Sequence, residues 1–160
     1  MSRAFVKETD NDTAGLPDRL ISLHRNLVTE AGLADIEAAL ARFEAEHRAA
    51  MERGDREGAA AVALREVRYW KARRASAELV KPPDDKGTAS FGMTVTLRRE
   101  DGREQTFKIV GEDEADPSRG TVSYVSPLAR AVLTHVAGDT VVIANSEAVI
   151  LDVRLESAQV

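Results

Sequence analysis

Between Leu33 and His47 the apolar and half-polar positions Leu33, Ile36, Leu40, Phe43 and His47 recur at spacings of three, four, three and four. That seam is one helix face wide, and a seam so narrow is buried only against a second helix. Thr29 precedes it and supplies an N-cap hydroxyl. Arg53-Gly54-Asp55 ends it, because glycine tolerates the left-handed conformation of a helix terminus. A second helical stretch starts at Ala59 and runs to about Leu79, with the weaker stripe Ala60, Leu64, Val67, Trp70 and Ala77, interrupted by Arg74. The pair predicts an antiparallel helical hairpin, a short coiled coil.

Lys81-Pro82-Pro83-Asp84-Asp85-Lys86-Gly87 cannot continue a helix, and the texture changes beyond it. Val95 and Leu97 alternate with Thr94, Thr96 and Arg98, and Phe107 and Ile109 with Thr106 and Lys108, with Asp101-Gly102 as a hairpin turn between them. Further strands are expected at 121–125, 140–144 and 148–155. Ser126-Pro127 opens one helix among them, serine as cap and proline in the first helical position. The expected class is α+β: a helical hairpin, then a mainly antiparallel sheet carrying one helix. The expected domains are an N-terminal mobile arm over 1–26, the hairpin over 27–80, a linker over 81–90 and the β domain over 91–156.

Composition excludes several functions. Among 160 residues there is no cysteine, so disulfides, thiolate metal sites and cysteine nucleophiles are ruled out. Twenty-two basic against 27 acidic residues give a formal charge of −5, which argues against a protein held on nucleic acid by bulk charge. No apolar run approaches the roughly 20 residues that span a bilayer, and the first residues lack a secretory signal. The expected location is cytoplasmic, with no membrane partner and a monomeric state. His24, His47 and His135 lie far apart, so no zinc set and no metal site is expected. The acids Glu112, Asp113, Glu114 and Asp116 do not have EF-hand spacing. Ser126 has no histidine and aspartate pattern around it, and capping explains it better than nucleophilic catalysis.

Phe91-Gly92-Met93-Thr94-Val95-Thr96-Leu97, Ile109-Val110-Gly111-Glu112-Asp113-Glu114-Ala115-Asp116, Ser123-Tyr124-Val125-Ser126-Pro127-Leu128-Ala129-Arg130-Ala131 and Val136-Ala137-Gly138-Asp139 together resemble the C-terminal domain of the Gre transcript-cleavage factors. Upstream, Leu27-Val28-Thr29-Glu30-Ala31-Gly32-Leu33 and Val67-Arg68-Tyr69-Trp70 resemble stretches of the family's helical hairpin. The resemblance implies an FKBP-like C-terminal domain and a bacterial factor that binds core RNA polymerase at its secondary channel. In that family two carboxylates at the hairpin tip help hold a second Mg²⁺ at the polymerase active site, where backtracked RNA is hydrolysed. The factor itself is then no enzyme and has no cofactor of its own, only a Mg²⁺ shared with the polymerase.

The usual tip reads Gly-Asp, two residues, then Glu-Asn-Ala-Glu/Asp-Tyr, where this chain has Gly54-Asp55-Arg56-Glu57-Gly58-Ala59-Ala60-Ala61-Val62. Asp55 falls on the family aspartate. Gly58 takes the glutamate position, and Glu57 stands one residue early, about 100° away around a helix. Each arm is also roughly eight or nine residues shorter than is usual, which withdraws the tip by about 12–13 Å. The expectation is a Gre-like regulator of elongation or initiation without efficient cleavage. The alternative is a cleavage-stimulating factor in which Asp55 and Glu57 suffice, and both acids also suit a plain solvated turn.

For docking on the rim helices of the polymerase's largest subunit, the resemblance singles out Asp113, Glu114, Ser126, Pro127 and Arg130, which equally could serve the domain's own fold. Arg65, Arg68, Lys71, Arg73 and Arg74 are either a basic patch toward the channel wall or nascent RNA, or a solvated helix face. An FKBP-like fold alone also raises prolyl isomerisation, but 4% aromatic residues supply an aromatic-lined pocket poorly.

Overall fold

The computed structural model describes residues 16–156. They form two compact units, one of 16–21 with 37–75 and the other of 22–36 with 76–156. The first boundary falls inside a helix, and the second at Ser76, ahead of the expected linker at 81–90.

The first unit is built on α1 (Glu30–Glu52), from residue 37 onward, and α2 (Ala59–Ser76). Glu37 pairs with Arg74 at 2.8 Å and Glu44 with Lys71 at 3.9 Å, so the helices run antiparallel. Ala50, Ala60, Ala63 and Val67 are buried between them, with Leu40, Phe43 and His47 half-buried along the same seam. Small side chains at the contact let the two backbones approach closely, which is why an Ala-rich α2 with few large apolar residues still packs. The turn is a Schellman motif: the Asp55 N–H donates to Ala50 O at 3.0 Å and the Gly54 N–H to Met51 O at 3.1 Å, with Gly54 at φ 78°.

Residues 16–21, expected as part of a mobile arm, instead lie along α2. Arg19 pairs with Glu66 at 2.8 Å and stacks 3.6 Å from the centre of the Tyr69 ring, and Asp18 accepts from Arg68 at 2.6 Å. Such cation–ring contacts contribute on the order of 0.5–1 kcal/mol at exposed sites. The rest of the expected arm, 1–15, lies outside the described residues.

The second unit holds a five-stranded sheet of order β5-β4-β3-β7-β6, from β3 (Thr94–Arg99), β4 (Glu104–Val110), β5 (Thr121–Ser123), β6 (Thr140–Ile143) and β7 (Ser146–Arg154). Pairing is antiparallel except between β4 and β5, which are parallel. Period-two alternation sends Val95, Leu97, Phe107, Ile109 and Ile150 to one face, where α3 (Pro127–Val132) covers them with Ala129 and Val132. Each such fully buried side chain stabilises the fold by roughly 1.5–3 kcal/mol. Ser126 caps α3 by accepting from the Ala129 N–H at 3.2 Å, and Pro127 takes its first position. The α+β class expected from sequence is the class found.

One departure concerns the end of α2. The helix stops at Ser76, and Glu78–Leu79 form β2, paired in parallel with β1 (Leu27–Val28) through Glu78 N–H to Asn26 O at 2.8 Å and Val80 N–H to Val28 O at 3.0 Å. The partner lies some fifty residues upstream, so no local period announces it.

Several turns of this unit are fastened by carboxylates. Asp139 accepts from the Val136 N–H at 3.0 Å and faces His135 Nδ1 at 3.1 Å, and those contacts, the backbone one foremost, hold its carboxyl below the ordinary 3.8. Asp116, bonded to Ser118, and Asp101, bonded to Arg103, are lowered likewise. A carboxyl lowered by folding adds stability that is complete above its unfolded value and vanishes as pH falls through its folded value. Denaturant midpoints should therefore hold steady above pH 5 and drop below about pH 3.8. Asp139→Asn should flatten part of that drop; an unchanged acid limb would remove Asp139 from its cause.

Candidate functional site

At the tip, Asp55 is already occupied. Its Oδ1 accepts from the Gly58 N–H at 3.1 Å, and its carbonyl accepts from Ala60 N–H at 3.0 Å, so it closes the turn that leads into α2. The fit depends on Gly58, since a Cβ there would lie 2.5 Å from Asp55 Oδ1. Glu57 is exposed one residue away. Arg53 and Arg56 flank both acids on the same turn, and their charge opposes a divalent cation there. Among the described residues no group of three or more His, Asp and Glu could hold a metal ion.

The acidic turn after β4 faces its own unit. Glu112 Oε1 accepts from Ser22 Oγ at 2.9 Å. The Glu114 carboxylate accepts from the Thr29 hydroxyl, which itself accepts from the Gly32 N–H at 2.9 Å, so one hydroxyl links the turn to the first turn of α1. An anion is favoured at that end of a helix by its dipole. Two glycines allow the approach: a Cβ on Gly32 would stand 2.8 Å from Glu114 Oε1, and one on Gly111 would stand 2.2 Å from Leu27 O. Tyr124 OH donates to Arg25 O, and Tyr124 N–H donates to Val110 O at 2.9 Å, which brings the lead into α3 beside the start of the acidic turn.

Of the five expected docking residues, Pro127 and Arg130 are therefore exposed, one turn apart on α3. Ser126 is half-buried as the cap, Asp113 is half-buried, and Glu114 is turned inward as a fastener. Arg25, Gly32, Gly111 and Tyr124 were missed by sequence reasoning; the glycine before the acidic run was the available signal.

The five basic residues of α2 do not form one face. At 100° per residue, Arg65 and Arg74 point to opposite sides of the helix. Arg68, Lys71 and Arg74 pair with Asp18, Glu44 and Glu37. Arg73 is only 2% exposed, and Arg65 is half-buried with its Nε shielded and unbonded. The structure brings uncompensated cations elsewhere: among the described residues Arg48, Arg53 and Arg56, in the distal part of the hairpin, have no acid partner.

Residues 84–154 match the family model of the C-terminal part of the GreA/GreB transcription elongation factors. The GreA of Vibrio vulnificus is 36% identical over 129 residues, covering 80% of this chain and 79% of that protein. The chain belongs to the GreA/GreB family. The GreB of Neisseria meningitidis serogroup B is 44% identical over 85 residues, and the match spans 52% of each protein, so the chain spans about half the length of that GreB. Among solved structures, the GreA factor homolog 1 (Gfh1) of Thermus thermophilus is 18% identical with a TM-score of 0.39, covering 82% of this chain and 99% of that one. These relatives also correct the expectation that the chain is no enzyme. The GreA factors of Vibrio vulnificus and, at 47% identity over 66 residues, of Paracoccus denitrificans are elongation factors by name, and membership in that class does not set a Gre chain outside catalysis.

Proposed function

We propose that this Gre-family chain acts on bacterial RNA polymerase in the cytoplasm, docking at the rim of the secondary channel through Pro127 and Arg130, and modulates transcription without efficient stimulation of transcript cleavage. The observation that carries the reading is the tip: the one carboxylate in the family position, Asp55, is spent on the Gly58 N–H, and the second position is Gly58 itself. Two-metal phosphoryl chemistry needs both oxygens of the displaced phosphate gripped at once, and misplacement by even 1 Å is costly. The shortened arms add a deficit of about 12–13 Å, whereas a carboxylate ligates Mg²⁺ at about 2 Å. Docking itself is served by the exposed α3 face, where Pro127 offers apolar surface and Arg130 an exposed guanidinium.

Binding of core RNA polymerase to immobilised full-length protein, with and without excess GreA, tests this. GreA should displace the polymerase, and Arg130→Glu should weaken capture by about tenfold, which corresponds to some 1.4 kcal/mol. Capture indifferent to GreA would overturn the shared docking site.

A further inference from the structure

The sheet register aligns Arg154, Thr94, Lys108 and Thr121 in one row across β7, β3, β4 and β5, on the face that Val95, Phe107 and Ile109 turn away from. Lys108 borders two hollows on this face. The smaller, about 170 Å³, is also lined by Thr94, Arg119 and Thr121. The larger, about 390 Å³, has apolar walls in Val80, Pro82 and Leu155 and is bordered by the first residues of α1. Within the smaller hollow Thr94 is only 2% exposed, and its Oγ1 has no hydrogen-bond partner among the described residues. A buried hydroxyl left unpaired is rare, and here it stands beside a lysine with no acid partner among the described residues. Arg119, 84% exposed and held only loosely by Asp116 at 3.7 Å, adds a second cation at the rim.

We propose that the two hollows form one site for a nucleoside phosphate, with the phosphate against Lys108, Arg119 and Thr94 Oγ1 and the nucleoside in the larger hollow. A hydroxyl, an ammonium and a guanidinium are donors of the kind that bind phosphate oxygens. The larger hollow falls within the usual size of small-molecule sites, roughly 300–1,000 Å³, with Val80, Pro82 and Leu155 as apolar surface for a base and Lys81, Glu30 and Glu156 as polar groups for a sugar. Glu156 lines both hollows and Glu30, 3.9 Å from Lys81, lines the larger one; the Glu156 carboxylate opposes an anion and weakens the site.

Titration of the full chain with ATP, adenosine or inorganic phosphate, followed by amide NMR and thermal melting, decides the matter. ATP should move the Thr94 and Lys108 signals saturably and bind at least about tenfold tighter than phosphate or adenosine alone. Lys108→Met should weaken ATP about tenfold, and Glu156→Gln should tighten it. Thr94→Val is the second variant: it should raise the melting temperature of the free protein by about 2–4 °C, by removing an unpaired hydroxyl, while weakening ATP binding. No saturable shift up to about 10 mM ATP, ATP binding no tighter than phosphate alone, or wild-type affinity in both Lys108→Met and Thr94→Val would each overturn the site.

Discussion

A backtracked elongation complex supplied with this protein is expected to shorten its transcript at least about 100-fold more slowly than the same complex supplied with GreA, the scale on which a small misplacement of catalytic groups acts. Three features of the tip lead to that number, the first of which depends on the second. Asp55 is bonded to the Gly58 N–H, in the turn before α2. Gly58 stands where the family resemblance calls for glutamate. Arg53 and Arg56 place positive charge beside Asp55 and Glu57. Asp55→Ala should leave the residual cleavage unchanged while lowering hairpin stability by about 1 kcal/mol, the usual net worth of one hydrogen bond. Gly58→Glu frees the Asp55 carboxylate, whose Oδ1 lies 2.5 Å from the new Cβ, yet should not restore cleavage, because the shortened arms still hold the tip about 12–13 Å back. Rapid shortening of the RNA that disappears in Asp55→Ala would show instead that Asp55 leaves the Gly58 N–H and reaches the metal, and the non-cleaving reading would fail.

What sequence could and could not disclose follows from the range of each interaction. The Leu40–Phe43–His47 seam, the Thr29 and Ser126 caps and the Gly54 helix end are written in neighbouring residues, and all are found in the structure. The β1–β2 pair is not local: two residues on each side meet across some fifty positions, too short a run for any period to show. The pairing of charges is non-local in the same way. Arg68, Lys71 and Arg74 look like a basic stretch in the linear chain, yet each meets an acid supplied by another segment. The acidic turn reads as surface because acids usually are, while Glu114 is held inward by a threonine eighty-five residues away. At the tip the glycine in the glutamate position was legible; the direction of the Asp55 carboxylate needed the folded turn.

Gly111→Ala should be the most damaging single methyl in the second unit. Its Cβ would sit 2.2 Å from Leu27 O, where real Cβ contacts essentially never come closer than 3.0 Å, and the obstacle is backbone rather than a movable side chain. Relief requires β1 to shift by most of an ångström. With β1 go the hydrogen bonds from Glu78 and Val80, and the Tyr124 bond to Arg25 and the Glu114 bond to Thr29 are strained beside it. Overpacking of this kind costs about 3 kcal/mol, which lowers the melting temperature by roughly 6–12 °C. Hydrogen exchange should localise the damage, with Glu78, Val80 and Gly32 amides losing protection and those of Ala63 and Val67 in α2 keeping theirs. Gly54→Ala is the contrast. Nothing lies within 4 Å of its Cβ, so only the positive φ of 78° is strained, at about 1–2 kcal/mol. If Gly111→Ala melts with the wild type, β1 is not held where the Leu27 carbonyl places it, and the fastening of the α1 start by the acidic turn falls with it.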